Sequence, residues 1–204
     1  YGEYDDNYVS SYGGMISIGL DASSVDAEDD GIAAQSVSYA KAGGVGSNAV
    51  ADGGTIDITL ANGSSVDGLD SGIVAGKYGK GGANAFSKGG GATAIGTDIS
   101  IDLSNSYASG ADGVGIGAIS GAFAVSFGGG IVDKYYGTSG SDADATTGNI
   151  TIGLDGSQVK GTYAGILAAS KGLAIGYYAD ASAQGGDVSV SLANESTATG
   201  YDGN

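Results

Sequence analysis

Hydrophobic and polar positions alternate with a period of two over short stretches that return along the chain. In residues 53–76, GGTIDITLANGSSVDGLDSGIVAG, the aliphatic Ile56, Ile58 and Leu60 alternate with Asp57 and Thr59, the pattern of a strand with one buried face. A turn rich in Gly, Ser, Asn and Asp follows. A second short apolar run, Gly72-Ile73-Val74-Ala75, comes next. The alternating run recurs at Met15-Ile16-Ser17-Ile18-Gly19-Leu20, Ile99-Ser100-Ile101-Asp102-Leu103, Ile150-Thr151-Ile152-Gly153-Leu154 and Val188-Ser189-Val190-Ser191-Leu192. Taking the first aliphatic residue as marker, the copies start at 16, 56, 99, 150 and 188, about 40, 43, 51 and 38 residues apart. The second run keeps phase at Gly31-Ile32-Ala33-Ala34, Gly113-Val114-Gly115-Ile116 and Gly165-Ile166-Leu167-Ala168. Between copies lie glycine-rich returns with small alternating runs: Asn48-Ala49-Val50-Ala51, Ala85-Phe86-Ser87, Phe123-Ala124-Val125-Ser126 and Tyr177-Tyr178-Ala179. These read as a third, looser strand with loops of variable length.

Self-similarity at this period marks an array in which each copy buries its apolar face only against its neighbours. The predicted fold is all-β, a right-handed parallel β-helix or β-solenoid of about five imperfect repeats of 38–51 residues. Residues 1–12 form an acidic, tyrosine-rich end segment, and 13–204 form one repeat solenoid with units near 13–52, 53–97, 98–147, 148–184 and 185–204. Equivalent residues of successive coils then stack about 4.8 Å apart. Ile16, Ile56, Ile99, Ile150 and Val188 would form one interior ladder, and Leu20, Leu60, Leu103, Leu154 and Leu192 another. Each buried aliphatic side chain contributes roughly 1.5–3 kcal/mol, against a glycine cost on the order of 0.5–1 kcal/mol at each strand-interior position. One wide coil or two narrow ones per repeat both satisfy the spacing. Helices are disfavoured, since no window has a 3.6-residue apolar period and interior glycines are costly. Regular alternation in a chain that is 41% hydrophobic argues against disorder. An antiparallel sandwich, with hairpins at Asn62-Gly63, Asp67-Gly68 and Asp155-Gly156, is the minority alternative.

Composition narrows the function. The 23 acidic residues face 7 lysines, and arginine, histidine, cysteine, tryptophan and proline are all missing. Such a chain is repelled by phosphate backbones and anionic membranes, so nucleic-acid binding is not expected. The lack of histidine and cysteine removes serine-histidine triads, thiolate nucleophiles and zinc hydrolysis. Residues 113–132 carry no charge, but their glycines and the coincidence with repeat strands argue against a membrane span. No signal peptide is visible at Tyr1. A start without methionine and an end inside a repeat are expected of a piece of a longer or processed polypeptide.

The acids mark the most tempting chemistry. Asp26, Asp29 and Asp30 fall in the turn of the first repeat, with Glu28, then Asp67 and Asp70 in the second and Asp112 in the third. Stacked carboxylates repel unless a cation lies between them or they splay into solvent. Calcium, which takes six to eight oxygens, is the ion such a ladder would suit; no other cofactor is expected. The corresponding stretch of the fourth repeat has Lys160 and no acid. Gly43-Gly44-Val45-Gly46-Ser47-Asn48 resembles a single nonapeptide calcium unit without recurring every nine residues. Asp21, Asn62, Asn105, Asp155 and Asn194 follow the first strands, where Asn and Asp tolerate left-handed backbone and close their own turn. Asn62, Asn149 and Asn194 begin glycosylation sequons, a weak signal in so polar a chain. Thirteen tyrosines exceed three phenylalanines; Tyr135, Tyr136, Tyr177 and Tyr178 sit in the returns, where a large rigid ring with a hydroxyl suits a carbohydrate or protein contact surface as well as packing on glycine backbone.

At Asp30-Gly31-Ile32-Ala33-Ala34-Gln35-Ser36-Val37-Ser38, followed by a glycine-rich return and Gly53-Gly54-Thr55-Ile56-Asp57-Ile58-Thr59-Leu60-Ala61-Asn62, the chain resembles the repeats of bacterial autotransporter passenger domains. Those repeats read Gly-Ile-aromatic-Ala-Gln-Ser, a glycine-rich loop and an alternating Val-Thr strand ending in Asn. Gly165-Ile166-Leu167-Ala168-Ala169-Ser170 is a looser match. The resemblance implies a secreted, surface-displayed β-helix without enzymatic activity, used in adhesion, aggregation or biofilm. Its partners would be carbohydrate, a host surface, or further copies of the chain through solenoid ends or loops. A self-assembling subunit of an extracellular filament and a polysaccharide-cleaving β-helix, which needs two suitably spaced carboxylates, are the alternatives.

Overall fold

The computed structural model describes residues 8–43, 46–76, 82–127 and 142–201, and among these the only regular elements are β-strands. The chain passes repeatedly through four positions, and each strand pairs in parallel with its counterpart from the next pass. Four sheets result. Sheet I holds Met15–Asp21, Thr55–Ala61, Asp98–Ser104, Ile150–Asp155 and Val188–Ala193. Sheet II holds Ser24–Ala27, Ser65–Gly68, Tyr107–Gly110, Gln158–Gly161 and Thr197–Gly200. Sheet III begins as two short strands per pass, Ile32–Ala34 with Ser38–Ala42, then Ile73–Gly76 with Ala83–Lys88. In later passes these fuse into the 14-residue strands Val114–Phe127 and Ala164–Tyr177. Sheet IV holds Tyr8–Tyr12, Asn48–Asp52, Ala92–Ile95, Ala143–Thr146 and Ala181–Gln184. Parallel strands in stacked sheets, closed around a shared interior, are the arrangement of a β-solenoid.

The expected ladders are present in register. Ile16 pairs with Ile56, Ile56 with Ile99, Ile99 with Ile150 and Ile150 with Val188; the leucines at 20, 60, 103, 154 and 192 pair likewise. Because each repeat's strand pairs directly with that of the next, the spacing of the Ile-x-Ile-x-Leu motif is the length of one pass. Residues 113–132, weighed as a membrane span, contain the long strand of sheet III; among the described residues no helix is long and apolar enough to cross a membrane.

Three local expectations need correction. The stretch read as a turn after each sheet I strand contains a strand of its own, sheet II, so Asp26 and Asp67 lie on strands, paired side by side. Only one large inward residue per strand, Val25, Val66 or Val159, carries its signal, which is too little for a periodicity to show. The single third strand is two: Ala85-Phe86-Ser87 and Phe123–Ser126 belong to sheet III, whereas Asn48–Ala51 belongs to sheet IV. Tyr8–Tyr12, assigned to the end segment, is the first strand of sheet IV and pairs with Asn48–Asp52.

The interior is divided into two chambers. One, enclosed by sheets I and II and the first half of sheet III, is filled with Ile, Leu and Val plus a few alanines, including the fully buried Ile58, Ile101, Ile152 and Val66. The other, between sheet IV and the second half of sheet III, holds twelve buried alanines among the described residues, with the buried Ser38, Ser87 and Ser126 in the same rows. A polar partition separates them. At the middle of sheet III stand Ser36, Ser120 and Ser170, and against them come the turns leading from sheet IV back to sheet I. Thr97 Oγ1 donates to Gly53 O at 3.0 Å, Gly148 N–H donates to Ser120 Oγ at 2.9 Å, and Gly186 N–H donates to Ser170 Oγ at 2.9 Å. The approach is close enough to require glycine: a Cβ on Gly13 would lie 2.5 Å from Ser36 Oγ, and one on Gly96 would lie 2.7 Å from Ser120 Oγ.

The corner between sheets I and II is closed by a second set of hydroxyls. Ser64 Oγ donates to Ala61 O at 2.6 Å and accepts from Ser23 N–H at 3.3 Å; Ser157 Oγ donates to Asp155 O at 2.9 Å and accepts from Ser106 N–H at 3.0 Å. The expected left-handed residues precede these serines, with φ of 56° at Asn62, 49° at Asn105 and 51° at Asn194. In the first and fourth passes the equivalent positions are Ala22 and Gly156, also at positive φ, and not Asp21 or Asp155. Those two carboxylates instead accept hydrogen bonds from the Nδ2 groups of Asn62 and Asn194 in the adjoining pass.

Candidate functional site

The outer surface of the second half of sheet III differs from every other face. Alternation in its strands sends alanine inward and the intervening residue out: Ala40, Ala85 and Ala124 are buried in the alanine chamber, while Tyr39, Lys41, Phe86, Phe123, Phe127 and Tyr177 stand on the opposite side. Parallel register lines these residues up across passes. Lys88 pairs with Phe127 and Phe127 with Tyr177; Tyr39 pairs with Asn84 and Asn84 with Phe123.

The rings make two contacts of different kinds. Tyr39, Phe86 and Phe123 form a zigzag with centroids 5.4 Å apart at each step, tilted and then edge-to-face. Phe127 and Tyr177 stack face to face, centroids 4.9 Å apart and planes 6° from parallel. Both arrangements lie within the range of favourable aromatic pairs, and the spacings follow the rise between strands. Some of this aromatic area serves packing, since Val125 points outward yet is only 4% exposed. Much of it does not: Tyr39 is 56%, Phe127 45% and Tyr177 50% exposed. Tyr39, Phe86, Phe127, Lys41 and Lys88 line a cleft of about 510 Å³ across three passes, within the size range of small-ligand sites.

Charge sets this face apart as well. Six of the seven lysines, at 41, 77, 80, 88, 134 and 171, fall in the sequence between the end of each Gly-Ile run and the start of sheet IV. Of these, Lys41, Lys88 and Lys171 are exposed on the described part of the face. Among the described residues its strand positions carry no carboxylate. The remaining surface is acidic, so an aromatic strip edged by cations is embedded in a protein of charge −16.

Of the tyrosines expected to make a contact surface, Tyr177 is part of this face, Tyr178 follows it and is 95% exposed at a positive φ of 59°, and Tyr135 and Tyr136 lie outside the described residues. Tyr39, Phe86, Phe123 and Phe127 were not singled out from the sequence. Their signal is an alternation of alanine with a large residue, visible in Tyr39-Ala40-Lys41-Ala42 and Phe123-Ala124-Val125, but the rings do not recur at one repeat position.

The acids collect elsewhere, at the corner between sheets II and III. Asp29, Asp70 and Asp112 approach one another there, with Asp70 N–H bonded to Asp29 O at 3.3 Å. A hydrogen bond shared with the Asp29 carboxyl, and then the negative charges of Asp29, Asp30 and Asp112, push the Asp70 carboxyl above its usual range. Asp26 and Asp67 sit one strand earlier, where Asp67 accepts a 2.5 Å hydrogen bond from Ser109 Oγ. Among the described residues no group of three or more acids is arranged to hold a metal ion. The nonapeptide-like stretch has Gly44 and Val45 outside the described residues; its Asn48 accepts a 2.8 Å hydrogen bond from Gly91 N–H of the next pass, a structural use.

No protein-family model, no curated protein and no solved structure matches this chain.

Proposed function

We propose that the chain is a segment of a secreted, surface-displayed protein without enzymatic activity, a right-handed β-solenoid of about five repeats like those of autotransporter adhesins, which mediates adhesion or aggregation. The observation that carries this reading is the half-exposed aromatic strip on sheet III, with its lysines and with no carboxylate at its described strand positions. A rigid stack of sheets holds these rings in fixed rows, and a contact surface of rigid aromatics loses little conformational entropy on binding. The decisive experiment displays the chain on a non-adherent bacterial cell and measures sedimentation and surface attachment. Display is expected to increase both, and the paired substitution Phe127→Ala with Tyr177→Ala to abolish the increase. Attachment equal to that of cells displaying nothing overturns the reading.

A second reading, assembly of copies into an extracellular filament, draws on the terminal strand of sheet I, where inward-facing Val188, Val190 and Leu192 are 45%, 43% and 48% exposed. Unpaired strand edges accept further strands. Electron microscopy over a concentration series distinguishes the two: filaments of uniform width support assembly, and short separate rods at every concentration exclude it.

A further inference from the structure

From the aromatic and lysine-bearing face of sheet III we infer a binding site for an acidic polysaccharide, with sugar rings lying on the rings of Phe127, Tyr177 and Tyr39 and its carboxylates meeting Lys41 and Lys88. The inference rests on the proposed role of this face in adhesion and names the ligand class.

Three features of the face converge on such a ligand. The aromatic side chains present flat, apolar surface with hydroxyl groups at the tyrosine edges, suited to the C–H face of a pyranose and to its hydroxyls together. Phe127 and Tyr177 are parallel within 6°, so each covers one face of the other and the pair offers its outer faces and edges, and Phe127 also lines the cleft with Tyr39, Phe86, Lys41 and Lys88. A polymer is favoured over a single sugar because Tyr39, Phe86, Phe127 and Tyr177 are spread over four successive strands of the sheet, a reach of several strand spacings that one sugar ring does not cover.

The charge pattern selects the acidic class. A neutral glycan needs no cation, yet lysine, scarce in this chain, is gathered into these segments and acids are kept off the strands of the face. Lys88 stands directly beside Phe127 in the register, and Lys41 beside Phe86, which puts a lysine next to an aromatic residue in two separate rows. Repulsion from the acidic remainder of the protein falls off over a Debye length of about 8 Å at physiological ionic strength, whereas the lysines act at contact distance. A single-stranded nucleic acid would also meet rings and cations and carries charge at a comparable density, so it enters the test as the competing ligand whose preference overturns the inference.

Isothermal titration with a homogalacturonan oligomer, its fully methyl-esterified form, and single-stranded DNA of similar length tests the assignment. The acidic oligomer is expected to bind, and to bind more weakly as salt is raised to 0.5 M, where the Debye length falls to roughly 4 Å. Phe127→Ala with Tyr177→Ala should lower affinity roughly tenfold, and Lys88→Gln about two- to threefold. Tyr163→Ala, on an exposed tyrosine of another face, should leave it unchanged, and circular dichroism confirms that each variant keeps its strands. Equal binding of the methyl ester, preference for DNA, or equal weakening by Tyr163→Ala would overturn the inference, as would no binding at all. Cells that adhere through the Phe127 and Tyr177 pair while the purified chain ignores the oligomer show that the ligand class is wrong and the contact face right. Loss of both overturns both.

Discussion

The two chambers of this solenoid are built on the same parallel register but filled by opposite means. In the aliphatic chamber, Ile58, Ile101 and Ile152 stack as neighbours in one row, and each contributes roughly 1.5–3 kcal/mol by burial. In the alanine chamber the row of Ala40, Ala85 and Ala124 contains methyl groups only, and the rows on either side add the buried Ser38, Ser87 and Ser126. Alanine buries little apolar area but loses no side-chain entropy on folding, and it lets the strands of sheets III and IV approach. Stability is thus concentrated in one chamber, and the other serves as a thin, stiff support for the face that bears the rings. The hydroxyl partition keeps the two apart by satisfying backbone groups of the turns that press into the middle of sheet III.

Exchanging the two kinds of filling should break this comparison most strongly. Ile101→Ala gives the aliphatic chamber an alanine-type row, and because Ile58 and Ile152 cannot close the gap, a loss of about 4 kcal/mol is expected, read as a lower urea midpoint by circular dichroism. Ile101→Val should cost about 1 kcal/mol. The reverse exchange, Ala85→Leu, forces a large side chain between two closely spaced strands. It is expected to cost about 3 kcal/mol, and it should also disturb the Phe86 environment on the outer side of the same strand. If Ala85→Leu were tolerated without loss, the alanine chamber would contain free space and would not be the tight layer described here.

The partition should rank below both. Thr97→Val keeps the shape of the side chain but removes the hydroxyl that donates to Gly53 O. With that carbonyl deprived of a partner inside the fold, the cost is expected to be about 1–2 kcal/mol. A change within a few tenths of a kcal/mol would indicate that the backbone of the turn is satisfied without the threonine.

How much of this was legible in the sequence differs between the chambers for the same physical reason. The aliphatic ladders were readable down to their registers, because large residues alternating with polar ones give a strong period of two. Sheet IV was not recognised as a separate sheet, since in Ala143-Asp144-Ala145-Thr146 and Ala92-Thr93-Ala94 the inward residue is alanine, which is weakly apolar and depleted in strands generally. Sheet II was read as a turn because its strands are four residues long and most end in glycine. At the candidate site, Tyr177 stood out by its doubled tyrosine. Tyr39, Phe86 and Phe127 occupy three different positions of the alternation, and only the register of the assembled sheet shows that they adjoin.

The smallest expected effect concerns the acidic corner, which lies on the aliphatic side and opposes the stability gained there. In the folded protein Asp70 holds its proton more readily than an ordinary aspartate, owing to the shared hydrogen bond with Asp29 and the surrounding charges. A carboxyl whose folded-state pKa is raised favours folding when protonated, so its contribution is fully present below the unfolded value near 3.9 and is lost as pH rises through the raised folded value. At neutral pH the corner is therefore under repulsion. Asp70→Asn should raise the urea midpoint slightly at pH 7, and the gain over wild type should shrink as pH is lowered toward 4, where the aspartate takes up its proton. Added salt should shrink it too, since the group is fully exposed and its repulsion is screened. A wild-type advantage at pH 7 would mean instead that the carboxylate makes a favourable contact there, with a bound cation as the first explanation to test by adding calcium.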